Sequence, residues 1–169
     1  MNITSPRSGK PGIRSFPKSF WTVITMEFFE RGSYYGVMSV LSVYLVMSIP
    51  DGGLGFSKES VGVIKSTITP LLYFLPILAA ALADRFGYRR TLMMAFTVMS
   101  TGYFFTSLST SYGMVFLSLL LMAIGAGFFK PIISGTIARV TDEKTSSLGF
   151  GIYYWSINLG AFIFPLILV

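Results

Sequence analysis

Cysteine and histidine are absent from this chain, and acidic residues are few: 7 Asp and Glu stand against 13 Lys and Arg in 169 residues. Without Cys there are no disulfides and no thiol chemistry. Without His, a metal site would have to be built from carboxylates and carbonyls alone. Charge of either sign is scarce, at 12% of residues, where soluble domains carry about 25%. Hydrophobic residues make up 53%, and mean hydropathy is +0.68. The composition is that of an all-α membrane protein, because apolar stretches of bilayer length satisfy their backbone groups as helices. The net charge of +6 does not indicate a nucleic-acid partner. Its basic residues sit at segment ends and in short loops, where they set orientation in a lipid bilayer.

Five apolar segments are read as spans, over residues 20–49, 58–83, 91–108, 113–138 and 148–169. Ahead of them, Arg7, Lys10, Arg14 and Lys18 lie among Pro, Gly and Ser. Residues 1–18 therefore read as a disordered cytoplasmic tail and not a cleaved signal, since the run that follows is too long and is charged. Pro50 to Gly55 breaks the first helix, and Ser57 offers an N-cap for the second. Pro70 and Pro76 lie inside the second helix, where a membrane segment tolerates them with a bend. Ala83 to Arg90 reads as a short polar loop, and Ser109 to Tyr112 as a connection so brief that the flanking helices must be antiparallel neighbours. Lys and Arg concentrate in the tail and in the loops at 84–90 and 139–144. By the positive-inside rule these are cytoplasmic. Lys65, two turns into the second helix, is open between snorkelling to the outer surface and pointing into a cavity.

The most informative stretch runs from Glu27 to Gly36 in the first segment. Spacings of three, four and seven residues put Glu27, Glu30, Arg31 and Tyr34 on one helical face. Ionisable groups at membrane depth cost several kcal/mol and mark ion or substrate routes. A neutralised structural cluster is the bland alternative, but two carboxylates on one base leave an acid unaccounted for. Lys130 lies far from either end of the fourth segment and reads as a site residue over a snorkelling one. Tyr34 and Tyr35 lie too deep for an interfacial belt and read as cavity lining. Asn158, polar in an apolar segment, is open between interhelical bonding and substrate contact. Gly125 to Lys130 lacks the Gly-Lys-Ser/Thr ending of a phosphate loop. No catalytic triad is present, and an enzyme reading has no support beyond the clustered carboxylates.

Four stretches, in order, resemble one family. Ala83 to Arg90, with Asp-Arg, Gly and a basic pair, is similar to the loop motif of the major facilitator superfamily. Glu27-x-x-Glu30-Arg31-x-x-Tyr34-Tyr35-Gly36, Phe129-Lys130-Pro131 and Tyr153 to Gly160 resemble signatures of its proton-coupled oligopeptide transporters. The resemblance implies five helices of a six-helix half-bundle, so that residues 19–169 form an incomplete N-terminal transmembrane bundle. It implies proton coupling at Glu27, Glu30, Arg31 and Lys130. It also implies substrate contacts at Tyr34, Tyr35, Tyr73, Lys130, Tyr154 and Asn158, and a conformational latch at Asp84, Arg85 and Arg89. Departures occur at Gly32, where the family usually has Phe, at Met38, where peptide transporters commonly have Arg, and at Ile132, where Asn is usual.

The expected function is therefore part of a proton-coupled symporter for di- or tripeptides or similar zwitterions, working by alternating access when complete. Its partners would be the bilayer, the substrate, a sixth helix and a C-terminal half. Protons would be the coupling ion, with no cofactor. The location would be integral in the plasma (inner) membrane with the N-terminus cytoplasmic. Alternatives are a proton-driven exporter of drugs or metabolites, and a truncated membrane protein that does not transport. Glu30 is the first choice for the coupling acid and Glu27 the second, with Lys130 expected within direct or water-bridged reach of one of them.

Overall fold

The computed structural model describes residues 12–168 and is all-α. After a short 3₁₀ turn at Ile13–Ser15, five long helices follow: α1 Lys18–Val46, α2 Lys58–Phe86, α3 Tyr88–Leu108, α4 Tyr112–Val140 and α5 Ser146–Leu168. Four of them, α2 to α5, are long and apolar enough to cross a membrane. Glu27, Glu30 and Arg31 sit in mid-helix in α1, which is not among the four.

Several boundaries differ from the expected ones, each for a local reason. The tail expected to be disordered over residues 1–18 is described from residue 12, and there it is ordered: Phe16 is buried and stacks on Phe20 with ring centroids 4.1 Å apart. Residues 1–11 lie outside the described part. The polar loop expected at 83–90 is almost entirely helical. α2 continues through Asp84 and Arg85 to Phe86, and α3 begins at Tyr88. Gly87 alone makes the break, at φ +89° and ψ 142°, a conformation that residues with a Cβ rarely adopt. Charge density in that stretch resembles a loop, but polar residues at a helix end need only reach water. α4 and α5 likewise extend beyond their apolar limits, by one or two residues at each polar end. α2 stays helical through Pro70 and Pro76.

α4 is the hub. It packs against each of the other four helices, most extensively against α3 and α2, while α1 pairs with α5. A helix covered on most sides must be apolar all round, and α4 buries residues from Val115 to Ile137. Lipid offers no hydrophobic drive for helix association, so close van der Waals contact carries the packing. Gly102 of α3 lies against the Met122 backbone, and Gly125 of α4 against that of Met99, so each helix presents a bare surface to the other. Gly160 of α5 receives the Phe28 carbonyl in the same way. Gly32 and Gly36 face Phe164 and Leu168 of α5. Hydroxyls within the helices bond back to the preceding turn, as Thr101 does to the Thr97 carbonyl at 2.7 Å, and Thr106 also reaches Ser118 of α4 at 3.1 Å. These hydroxyls are thereby satisfied in hydrocarbon.

The apolar core is in two parts. One contains Leu41 and Leu45 of α1 with Val61, Ile64, Leu119 and Met122. The other contains Phe20, Val23 and Ile24 of α1 with Phe129, Ile133 and Tyr153. Between the two, α1 carries Glu27, Glu30 and Arg31.

Candidate functional site

In α1, Glu27 is 1% exposed and Glu30 3%. They are not equivalent. Arg31 grips Glu30 with both arms of its fork: Nη2 donates to Oε1 at 2.6 Å and Nε donates to Oε2. Glu27 has only a 3.7 Å approach from Arg31 Nε to its Oε1, and among the described residues neither of its oxygens has a hydrogen-bond partner within 3.5 Å, the Tyr153 hydroxyl being a neighbouring donor. The Arg31 guanidinium also lies over the Tyr34 ring, 5.0 Å from its centroid. A bidentate carboxylate–guanidinium pair is the stronger and more directional form of contact. One acid is therefore neutralised in place. The other is buried with unused hydrogen-bonding capacity, an arrangement uncommon in folded proteins and one that calls for a functional or solvent partner.

Beside this cluster, α1, α2 and α4 enclose an open cleft of about 480 Å³. Arg31, Tyr34 and Tyr35 line it from α1, Tyr73 and Thr69 from α2, and Lys130 and Ser134 from α4. Five of the expected site residues are thus brought to one cavity: Arg31, Tyr34, Tyr35, Tyr73 and Lys130. Tyr73 is 76% exposed and shares the cleft with Arg31, Tyr34 and Tyr35 of α1. Lys130 makes no ion pair with Glu27 or Glu30: among the described residues, both acids pair only with Arg31. Lys130 and the hydroxyl-bearing Tyr153 are nonetheless among the polar neighbours of Glu27.

Other expected residues fall elsewhere. Tyr154 and Asn158 are exposed and do not line the cleft. Asn158 Nδ2 donates to the Tyr154 carbonyl at 2.8 Å, a bond within its own helix. The reason is helical phase, because α5 packs on α1 through Tyr153, Ser156 and Gly160, which turns residues 154 and 158 to the flank. Tyr153 is the residue missed, and the small residues three and seven positions after it mark the buried face. Tyr103 was missed as well. It lies on α3 with a buried hydroxyl that has no partner among the described residues, and the spacing of α3 gives no sign of it.

At the α2–α3 break, Asp84 pairs across to α4, with its Oδ1 3.3 Å from Arg139 Nη2, and Arg139 also covers the Tyr88 ring at 3.8 Å. Arg85 lies over Phe86, and Arg89 is exposed. Of the three expected latch residues, only Asp84 ties two helices together among the described residues, and its partner Arg139 was not singled out. Both ends of the pair are more than half exposed, so it contributes roughly 0–1 kcal/mol. The departures also have places. Phe164 packs over Gly32, Ile132 is buried, and Met38 shares a groove with Lys65.

A family model described as Major Facilitator Superfamily matches residues 20–168. The chain belongs to the Major Facilitator Superfamily. It is 33% identical over 159 residues to "Uncharacterized transporter YclF" of Bacillus subtilis (strain 168), covering 92% of this chain and 32% of that protein. It is 32% identical over 167 residues to "Dipeptide and tripeptide permease B" of Shigella dysenteriae serotype 1 (strain Sd197), covering 96% of this chain and 32% of that one. Among solved structures, a POT family transporter in complex with 5-aminolevulinic acid superposes with a TM-score of 0.85 at 34% identity, covering 94% of this chain and 33% of that chain. A peptide transporter POT in complex with sulfate gives 0.84 at 31%, with the same coverage. Within the superfamily the chain is of the POT peptide-transporter family, which is one of membrane transporters and not of enzymes. It spans about a third of the length of the curated relatives it matches.

Proposed function

We propose that this chain supplies the N-terminal part of a proton-coupled symporter for di- or tripeptides, or for zwitterions of similar size. The observation that carries the proposal is a cation-lined cleft, with Lys130 and Arg31 on its wall, beside a buried Glu27 whose oxygens are unbonded. Lys130 offers an ammonium to a substrate carboxylate, and the tyrosines offer hydroxyls and ring faces. Glu27 exchanges the coupling proton, while Glu30 holds Arg31 in place. This order reverses the sequence-based preference for Glu30. A carboxylate arriving at Lys130 or Arg31 competes with the acids for those cations, and an acid that loses its cation holds a proton more readily. Substrate binding and proton uptake are thereby linked.

In this reading α1 is a fifth span, whose charges face the cleft and not lipid. The N-terminus is cytoplasmic, in a plasma membrane, with the Asp84–Arg139 pair at the cytoplasmic end. Alternating access would come from rocking against a second half-bundle. Tyr154 and Asn158 would reach substrate only once that half closes over the exposed side of α5. The likeness to dipeptide and tripeptide permeases favours a peptide substrate over a drug or metabolite.

Membrane vesicles bearing the product of the full reading frame test the proposal. An inside-alkaline pH gradient should drive accumulation of Ala-Ala, and a protonophore should abolish it. Accumulation that survives the protonophore, or none with any dipeptide, refutes it.

A further inference from the structure

The cleft does not end at Tyr34. A narrower groove of about 60 Å³ continues between α1 and α2. It shares Tyr34, Thr69 and Leu72 with the cleft, so the two adjoin across those side chains. Lys65 lines the groove together with Met38, Leu41 and Leu119. Spacings of four, seven, eight and eleven residues put Thr69, Leu72, Tyr73 and Pro76 on the same face of α2 as Lys65, and all four line the cleft. Lys65 is therefore one end of a row whose other end, at Tyr73 and Pro76, shares the cleft with Lys130.

The charges along the cleft and the groove are unequally matched. Arg31 is engaged by Glu30 and approached by Glu27. Lys130 and Lys65 have no ion pair among the described residues, and no carboxylate lines the groove around Lys65. The groove has room for a group of carboxylate size and not for a whole residue. Leu75 of α2 meets Gly127 of α4, so Lys130 lies level with about residue 78 and Lys65 stands roughly 20 Å from it along the helix axis, a gap that the two long lysine side chains can narrow from either end. An extended dipeptide or tripeptide spans roughly 7–10 Å of backbone, and a side chain adds to that reach. A substrate held at Lys130 by one carboxylate can therefore offer a second one to Lys65.

Resting on the peptide-symport reading, we propose that Lys65 is a specificity-determining residue that receives a second substrate carboxylate in the outer groove, so that the site favours acidic di- and tripeptides. Met38 and Leu41 give that carboxylate an apolar wall, which strengthens its pairing with an ammonium by excluding water. Neutral peptides bind through the cleft alone.

The test compares Asp-Ala and Ala-Ala, in both binding and uptake, on membranes carrying the product of the full reading frame. Lys65→Gln should lower the preference for Asp-Ala over Ala-Ala by about ten- to a hundred-fold, the range of one charge-assisted hydrogen bond. Lys65→Arg should retain the preference, and Lys65→Glu should shift it towards Lys-Ala. An unchanged ratio in Lys65→Gln would mean that the lysine only snorkels to the outer surface. Equal losses for both peptides in Lys65→Gln and Lys65→Arg would mean a packing role. Either result overturns the proposal and leaves the peptide reading intact. Failure of the wild type to bind either peptide overturns the peptide reading and this proposal with it.

Discussion

Replacing each glutamate of α1 by glutamine should separate coupling from structure. Glu30→Gln removes the charge from a buried bidentate pair with Arg31, and loss of one partner of such a pair costs about 3–5 kcal/mol. The amide oxygen still accepts one hydrogen bond, and Glu27, already 3.7 Å from Nε, can move onto the guanidinium. The net loss should therefore be nearer 2–3 kcal/mol. Glu27→Gln removes a carboxylate with no hydrogen bonds and leaves the Arg31–Glu30 pair whole. Its effect on stability should be within about 1 kcal/mol of zero, because a neutral amide of equal shape is easier to bury than an unbonded charge. Thermal unfolding in detergent reads the first difference. Uptake in vesicles reads the second: Glu27→Gln should lose accumulation driven by a pH gradient and keep counterflow exchange, which needs binding and rocking but no net proton movement. If Glu27→Gln accumulates substrate as well as wild type, Glu27 is not the coupling acid. If Glu30→Gln behaves the same way and is equally stable, the charged face is only a neutralised packing element.

Gly87→Ala should lower stability by about 1–3 kcal/mol, read as a lower unfolding midpoint. A Cβ added there meets nothing within 4 Å, so the loss comes from the left-handed backbone alone, and an unchanged midpoint would refute it. Asp142, in the α4–α5 connection, accepts bonds from the Thr145 hydroxyl at 2.7 Å and from the Thr145 and Lys144 amides at 2.8 and 3.0 Å. These bonds, led by that of the Thr145 side chain, hold its carboxyl below the usual aspartate range. A lowered folded-state value means that its stabilisation of the start of α5 is present at neutral pH and is lost as pH falls through that value, below roughly 3.9. Hydrogen exchange near Ser146 should be flat down to that range and rise beneath it, and Asp142→Asn should remove the dependence. Because the chain has no native cysteine, single cysteines report topology cleanly. Cysteine at Asp142 should label only from the cytoplasm and cysteine at Asp51 only from outside, and the reverse pattern would overturn the orientation.

What the sequence showed and what it hid divide along physical lines. Helix number and order follow from apolar length, which is additive along the chain. The shared face of Glu27, Glu30, Arg31 and Tyr34 follows from one period within one helix. Convergence of Tyr73 and Lys130 on that face depends on how three helices are rotated against one another. Gly125 and Gly127 of α4 encode part of that rotation, by setting which sides Met99 and Leu75 can approach. Single-helix periodicity cannot report it, nor that Tyr153 is the buried tyrosine of α5 and Tyr154 the exposed one. The inequality of the two glutamates lies deeper still. Both are one turn or less from Arg31, and sequence spacing favours Glu27 at i,i+4 over the adjacent Glu30. The observed choice of Glu30 arises because the Arg31 side chain must also lie over Tyr34, which swings its fork towards Glu30 and leaves Glu27 at the longer distance. A tyrosine one turn further along α1 thus decides which acid is held in place and which keeps its hydrogen-bonding capacity unspent. Tyr34→Leu should relax that choice, let Arg31 bridge both carboxylates, and carry the functional asymmetry between Glu27→Gln and Glu30→Gln away with it. If the two glutamine variants still differ as sharply in a Tyr34→Leu background, the asymmetry has a source other than the position of the guanidinium.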